Sequence, residues 1–257
     1  MLAIYSLWHR EMVRFFRQRN RVFGAIGQPI IFWILFGAGL GASFRPGGTG
    51  GYLEYFFPGT LALILLFTAI FSTISLIEDR KEGFLQSVLV APIPRVSLVL
   101  GKVLGGTSLA VLQGLMFYLL GPTIGLPLTI SSMLAVTAVL TLIAFGLTCV
   151  GFCIAWRMDS TQGFHAIMSV FLMPMWLLSG AFFPAEGAPA WLAWIIRLNP
   201  LTYGVAALRR ILYLQSGLEP TGIPPLWPSI GVTVVAGLLT FGLAVKLAQG
   251  RTVGGGS

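Results

Sequence analysis

Charge is the scarcest property of this sequence. Sixteen Lys or Arg and eight Asp or Glu make up 9% of its 257 residues, where soluble domains run near 25%. That deficit excludes an ordinary water-facing surface and puts the chain in a membrane. From Val103 to Trp156 there is no charge at all. Carriers driven by protons or ions keep ionisable groups inside the membrane to hold the coupling ion. The uncharged runs therefore argue against an ion-coupled carrier and equally against a membrane-embedded acid–base enzyme. His9 and His165 are the only histidines and stand far apart, so no metal spacing is formed. Cys149 and Cys153 lie four apart on one helix face, a poor metal site and a poor disulfide, and read as packing residues. The sequence also lacks G-x-x-x-x-G-K-[ST], the loop that cradles nucleotide phosphates. With no catalytic, cofactor or metal constellation, the chain is expected not to be an enzyme. Any uphill movement it performs must draw its energy from another chain. A cleavable signal is not expected, because the arginines of MLAIYSLWHREMVRFFRQRNR follow an aromatic-rich segment instead of preceding a short apolar core.

Apolar residues are abundant, at 56% of the chain with a mean hydropathy of +0.88. A transmembrane helix needs roughly 20 of them in succession. The pattern predicts an all-α membrane protein with six such helices, near 22–43, 56–77, 101–121, 132–156, 164–183 and 227–247. Residues 1–21 form an interfacial helix in this reading, residues 22–250 the membrane domain, and residues 251–257 a flexible tail of the linker composition that a fusion leaves. Six spans put both termini on one side. Twelve of the sixteen Lys and Arg fall on that side: Arg10, Arg14, Arg17, Arg19, Arg21, Arg80, Lys81, Arg95, Lys102, Arg157, Lys246 and Arg251. Arg45, Arg197, Arg209 and Arg210 fall opposite. The excess makes the shared side cytoplasmic. The net charge of +8 is then a topology signal, and no nucleic-acid partner is expected.

Polar residues within the spans, Gln28, Thr68, Ser72, Thr73, Thr107, Ser108 and Gln113, read as hydrogen bonds between helices. Gly37 with Gly41, and Gly101 with Gly105, have the spacing of close helix contacts. Pro29 and Pro174 are expected to kink their helices. In the N-terminal segment Arg10, Arg14, Arg17 and Arg21 share one face, opposite Ile4, Trp8, Met12, Phe15 and Phe16. This is the pattern of a helix lying in the membrane plane with its arginines at the headgroups. It serves as a lipid anchor or as a lever joined to the first span.

One connection gathers a disproportionate share of the charge: IEDRKEGFLQSVLVAPIPRVSLVLGK, residues 77–102. Glu82 to Ala91 reads as a short helix whose acidic start suits a helix N-terminus. Phe84, Leu85, Val88 and Leu89 form its apolar face, and Pro92 and Pro94 stop it. That face must lie on the membrane, on the protein's own helices or on a partner.

Here the sequence resembles the ABC-2 type permeases, the membrane subunits of a class of ATP-binding-cassette exporters. Gly83, Leu85, Leu89, Ala91 and Pro92 match the family's connection between its second and third spans, while Phe84 and Gln86 replace a common hydroxyl residue and acid. A second match is LSGAFFPAEGAPAWLAWIIRLNPLTYGVAALR, in which Ser179, Gly180, Phe183, Pro184, Pro189, Trp191, Asn199, Pro200, Tyr203 and Arg209 follow the family order. A third is FFPGTLAL, with Pro58 and Gly59. The resemblance covers nearly the whole chain and implies a specific machine. Two permease chains would form the pathway in a prokaryotic cytoplasmic membrane, above two ATPase chains that carry ATP and Mg. The ATPase would dock on Glu82, Gly83, Phe84, Leu85, Val88, Leu89, Ala91 and Pro92, with a smaller contact at Asp159 in RMDSTQG. The N-terminal helix, through Trp8, Arg10, Arg14, Phe15 and Arg17, would flank that contact. Ser179, Gly180, Phe183, Pro184, Trp191, Asn199, Pro200 and Tyr203 would build short re-entrant gate helices on the outer side. The cargo expected is an amphiphile: a lipid, a lipid-linked glycan or a hydrophobic drug. The alternative is a polysaccharide channel, lined by rings such as Phe32, Trp33, Phe36, Phe171 and Trp176.

Overall fold

The computed structural model describes residues 2–17, 19–40, 51–182, 189–213 and 222–250. Among them every regular element is helical. In chain order these are α1 (Leu2–Arg17), α2 (Arg19–Leu40), α3 (Tyr52–Ser72), α4 (Ile74–Lys81), α5 (Phe84–Val90), α6 (Arg95–Tyr118), α7 (Ile130–Trp156), α8 (Thr161–Leu177), α9 (Ala190–Leu198), α10 (Pro200–Tyr213) and α11 (Leu226–Gly250). A short 3-10 turn, Gly121–Ile124, follows α6.

Four helices are long and apolar enough to cross a membrane among the described residues: Tyr52–Lys81, Arg95–Tyr118, Ile130–Trp156 and Leu226–Gly250. Of the other two expected spans, α2 is a 22-residue helix that includes the apolar segment Pro29–Gly39, and α8 has 17 residues before a turn in which Gly180 adopts φ 72°. The ends of those two expected spans run into 41–50 and 183–188, outside the described residues.

Tyr52–Lys81 is the axis of the fold. Its α3 part is apolar on all sides and buried against neighbours from Phe56 to Leu66, as expected of a central helix. It packs on α2, α6, α7, α8 and α10. A 30-residue helix is about 45 Å long, against a hydrocarbon core of about 30 Å. The excess length is taken up by tilt or by turns beyond the lipid, for which the charged end, Glu78 to Lys81, is the suited part. α11 lies on the rim against α7 and α10, where Gly146 and Gly237 let the α7 and α11 backbones approach. Its outward face, Val235, Leu238, Leu239 and Leu243, suits lipid contact.

The intramembrane polar residues bond within the bundle. The Thr68 hydroxyl meets the Gln113 carbonyl oxygen between α3 and α6. Trp8 Nε1 donates to Ser108 Oγ at 3.0 Å. Thr107 and Ser72 return their hydroxyls to backbone carbonyls of their own helices. Cys149 and Cys153 are free thiols, buried and half-buried respectively.

Candidate functional site

The charged end of α4 and the helix after it form an elbow. Glu82 closes α4, its N–H reaching the Glu78 carbonyl at 2.9 Å. Gly83 then turns the chain with φ 77°, a left-handed conformation that glycine adopts without steric cost. A Cβ at Gly83 would meet no neighbouring atom, so the backbone angle alone explains the residue. The short helix therefore begins at Phe84 and ends at Val90, with Ala91 extended and Pro92 and Pro94 following. The expected acidic N-terminus is corrected accordingly. Glu78, Asp79 and Glu82 belong to α4 and its cap, and their partners are the arginines of α1.

The expected apolar face also turns out to point inward. Leu85 is 3% exposed, and Phe84, Val88 and Leu89 pack on the same core. Leu85 is thereby enclosed by the protein's own helices, while Phe84, Val88 and Leu89 are half-buried. The solvent-facing residues are Glu82, Gln86, Ser87, Val90 and Pro92. Val90 is a bare apolar side chain at 71% exposure.

Three elements hold this elbow in place. From α1, Arg10 donates to Asp79 Oδ2 at 2.9 Å and lies over the Phe84 ring, 3.8 Å from its centroid. Arg14 pairs with Asp79 at 3.0 Å, Glu78 at 2.8 Å and Glu82 at 3.5 Å. From α6, Lys102 Nζ bridges Glu11 and Asp79 and reaches Ser75 Oγ at 3.3 Å. From the other connection, Arg80 donates to the Trp156 and Met158 carbonyls, each at 2.6 Å, and to Asp159 at 2.8 Å. It thereby caps the C-terminus of α7, where a cation is favoured, and ties the elbow to the loop at Asp159. Partial burial disfavours the Arg10 charge. The hydrogen bond and Coulombic pull of Asp79 outweigh it, and the Arg10 pKa lies above the ordinary value.

α1 is therefore more than a surface float. Arg10 and Arg14, expected at the headgroups, are engaged by carboxylates of α4 and its cap, while Arg17 remains exposed. Trp8 and Phe15 are half-buried. Leu7 and Glu11 press on Gly101 and Gly105 of α6, where an added Cβ would come within 2.6 Å of Leu7 Cβ and 2.7 Å of Glu11 Cβ.

The end away from the elbow, called the outer end from its expected position, is built differently. Trp176 Nε1 donates to the Gly59 carbonyl at 2.8 Å, and the Tyr52 and Tyr55 hydroxyls reach the Phe182 and Gly180 carbonyls at 3.0 and 3.1 Å. A Cβ on Gly59 would stand 2.4 Å from the Ala181 carbonyl oxygen, so only glycine lets α3 and this turn touch. Ser179 is buried and bonds back to Trp176. Asn199 spans the break between α9 and α10: its Nδ2 takes the Met175 and Leu178 carbonyls at 2.6 and 3.2 Å, and its Oδ1 accepts from the Leu201 N–H. Those are end carbonyls of α8, which need such partners. Pro200 opens α10, and Tyr203 donates to the Arg197 carbonyl at 3.0 Å. Arg209, 5% exposed, donates to the Tyr55 and Gly180 carbonyls at 3.2 Å and stacks 4.1 Å from the Tyr55 ring centroid. Arg210 takes the carbonyls of Ile223 and Pro224. Trp191 and Trp194 are exposed on α9. Phe183 and Pro184 lie outside the described residues. Trp33 and Trp176, proposed as duct rings, are buried in the core beside Phe57 and Phe56. Phe32 and Phe36 pack against that core, and Phe171 stays exposed.

Residues 3–213 match the ABC-2 type transporter family, from α1 through α10. The chain belongs to that family. It is 30% identical over 83% of its length to "Putative transport permease ycf38" of Cyanophora paradoxa, covering 74% of that protein. It is 24% identical to the daunorubicin resistance ABC transporter permease protein DrrB1 of Streptomyces coeruleorubidus, over 94% of this chain and 85% of the relative. Identity to the probable multidrug ABC transporter permease YbhR of Escherichia coli K12 is 27%, over 75% of this chain and 52% of YbhR.

Several residues central to this ABC-2 fold escaped the sequence reading. Asp79, Lys102 and Arg80 were counted only for the sign of their charge. Glu11 carried a usable signal: it is the one acid in the N-terminal segment and lies on the apolar face between Leu7 and Ile4. Such a misplaced carboxylate predicts a buried cation nearby.

Proposed function

We propose that the chain is the membrane-spanning subunit of an ATP-driven exporter, powered by a separate ATPase that docks on the elbow. The observation that carries this is the two-sided character of α5. Its inner side is anchored by Leu85, Val88 and Leu89, while its outer side offers Gln86, Ser87, Val90 and Pro92 to solvent. A short helix fixed on one face and bare on the other, in a chain with no phosphate loop, suits a handle for an external motor. The Asp159 loop, joined to it by Arg80, forms the lesser part of the same contact. In the assembled complex two such chains and two ATPase chains carry out the cycle, with ATP and Mg on the ATPases.

The six-span topology completes this reading. α2 and α8 count as the first and fifth spans, and both termini face the cytoplasm by the basic-residue excess. α9 and α10, at 9 and 14 residues, are too short to cross and dip into the outer leaflet as shielded re-entrant helices. The cargo class is an amphiphile, a hydrophobic drug or a lipid-linked molecule leaving the cytoplasm or inner leaflet. The drug-related names of DrrB1 and YbhR and the uncharged spans favour it. The test is co-purification with the ATPase encoded beside the gene. Val90→Asp and Ser87→Trp should abolish capture, while Trp194→Ala on the opposite end should leave it intact. Undiminished capture by both elbow variants would remove the docking surface from α5.

A further inference from the structure

The elbow is held by a charge cluster that docking alone does not require. Lys102 sits inside α6 at 6% exposure, with Glu11 of α1 also at 6% and Asp79 of α4 at 0%. Its ammonium touches both carboxylates and Ser75. Asp79 in turn takes Arg10 and Arg14 of α1. Desolvating so many charges is costly, and an apolar contact of the same volume is often as stable or more so. What charges add is a directional fixation of three helices at one point. The glycines beneath point the same way. Gly101 and Gly105 remove the side chains that would otherwise lift α1 off α6 and so bring Glu11 within reach of Lys102.

We propose that Lys102 is a positioning residue that locks α1, the α4–α5 elbow and the start of α6 into one rigid body, so that displacement of α5 is delivered to α1 and α6 together. The proposal extends the docking reading, since it assigns the motion that docking would drive. It does not depend on which surface the ATPase grips.

The direct measurement is the distance between spin labels at Ser6→Cys on α1 and Lys81→Cys on the α4 side of the elbow, both exposed and outside the docking face, in a background with Cys149→Ala and Cys153→Ala. The full chain is placed in lipid nanodiscs, first alone and then with its ATPase under nucleotide-free and ATP-trapped conditions. The native lock should give one narrow distance distribution that does not change with nucleotide. Lys102→Met together with Glu11→Met removes both charges at near-constant volume and should fold. It should broaden the distribution in the permease alone and make it nucleotide-dependent in the complex. Gly105→Ala keeps every charge, pushes Glu11 away from Lys102 and should broaden it likewise, while Lys102→Arg should restore much of the narrow distribution. A distribution equally narrow in the Met pair and in Gly105→Ala would overturn the lock, as would a native distance between α1 and the elbow that shifts with nucleotide. Because the permease-alone arm needs no partner, failure of ATPase capture would count against the docking surface only.

Discussion

The two ends of this molecule solve the same problem with different chemistry. Both must hold short helices against the long central one, α3 with α4. At the elbow end the fastening is ionic: Arg10, Arg14, Lys102 and Arg80 meet Glu11, Glu78, Asp79, Glu82 and Asp159. At the outer end it is made of backbone carbonyls, aromatic rings and one buried arginine: Trp176 on Gly59, Tyr52 and Tyr55 on the Phe182 and Gly180 carbonyls, Arg209 over Tyr55. Ion pairs leave the elbow wettable and rich in side chains a soluble partner can meet. Carbonyl and ring contacts join the outer end with Arg209 as the one buried charge among them. The difference fits a machine worked from one side and closed at the other.

Graded substitutions test this contrast. The largest loss is expected from Lys102→Met alone, which leaves Glu11 buried with only Arg10, 3.9 Å away. Breaking such a buried pair costs about 3–5 kcal/mol, visible as a lowered unfolding temperature in detergent. Arg209→Met should rank next, losing charged hydrogen bonds to two carbonyls at about 1.5–3 kcal/mol. Amide exchange should then rise around 176–182 and stay unchanged at the elbow. Gly59→Ala forces a methyl group against the Ala181 carbonyl and is expected to cost about 1–3 kcal/mol, again confined to the outer end. Glu82→Gln should matter least. Its pair with Arg14 is 3.5 Å long and solvent-exposed, and exposed pairs contribute at most about 1 kcal/mol. If Glu82→Gln proved as damaging as Lys102→Met, the buried hub would not be the centre of the ionic fastening.

Much of this organisation was legible in the sequence, for stated physical reasons. The uncharged run from Val103 to Trp156 could only be membrane. Pro92 and Pro94 marked the end of a short helix, and the order of motifs from Pro58 to Arg209 pointed to the ABC-2 family. What could not be read was which way faces turn. Phe84, Leu85, Val88 and Leu89 make the same helical stripe whether they meet a partner or their own core, and periodicity is blind to that choice. The arginine face of α1 showed the same ambiguity: headgroup phosphates and carboxylates of α4 satisfy it equally well, and only tertiary contact decides. Gly101 and Gly105 had the spacing of a close helix contact, but that spacing did not say that α1 is the helix resting on them. Arg209, counted as an outer-side charge, is a buried clamp, and nothing in its neighbours' identities distinguishes the two.

The central claim is that the outward face of α5 is where the driving partner binds. Hydrogen–deuterium exchange of the chain with and without its ATPase tests this most directly. The account predicts new protection at residues 82–92 and 157–163, with none at 190–203. Protection elsewhere on a bound complex, with α5 unchanged, would contradict it.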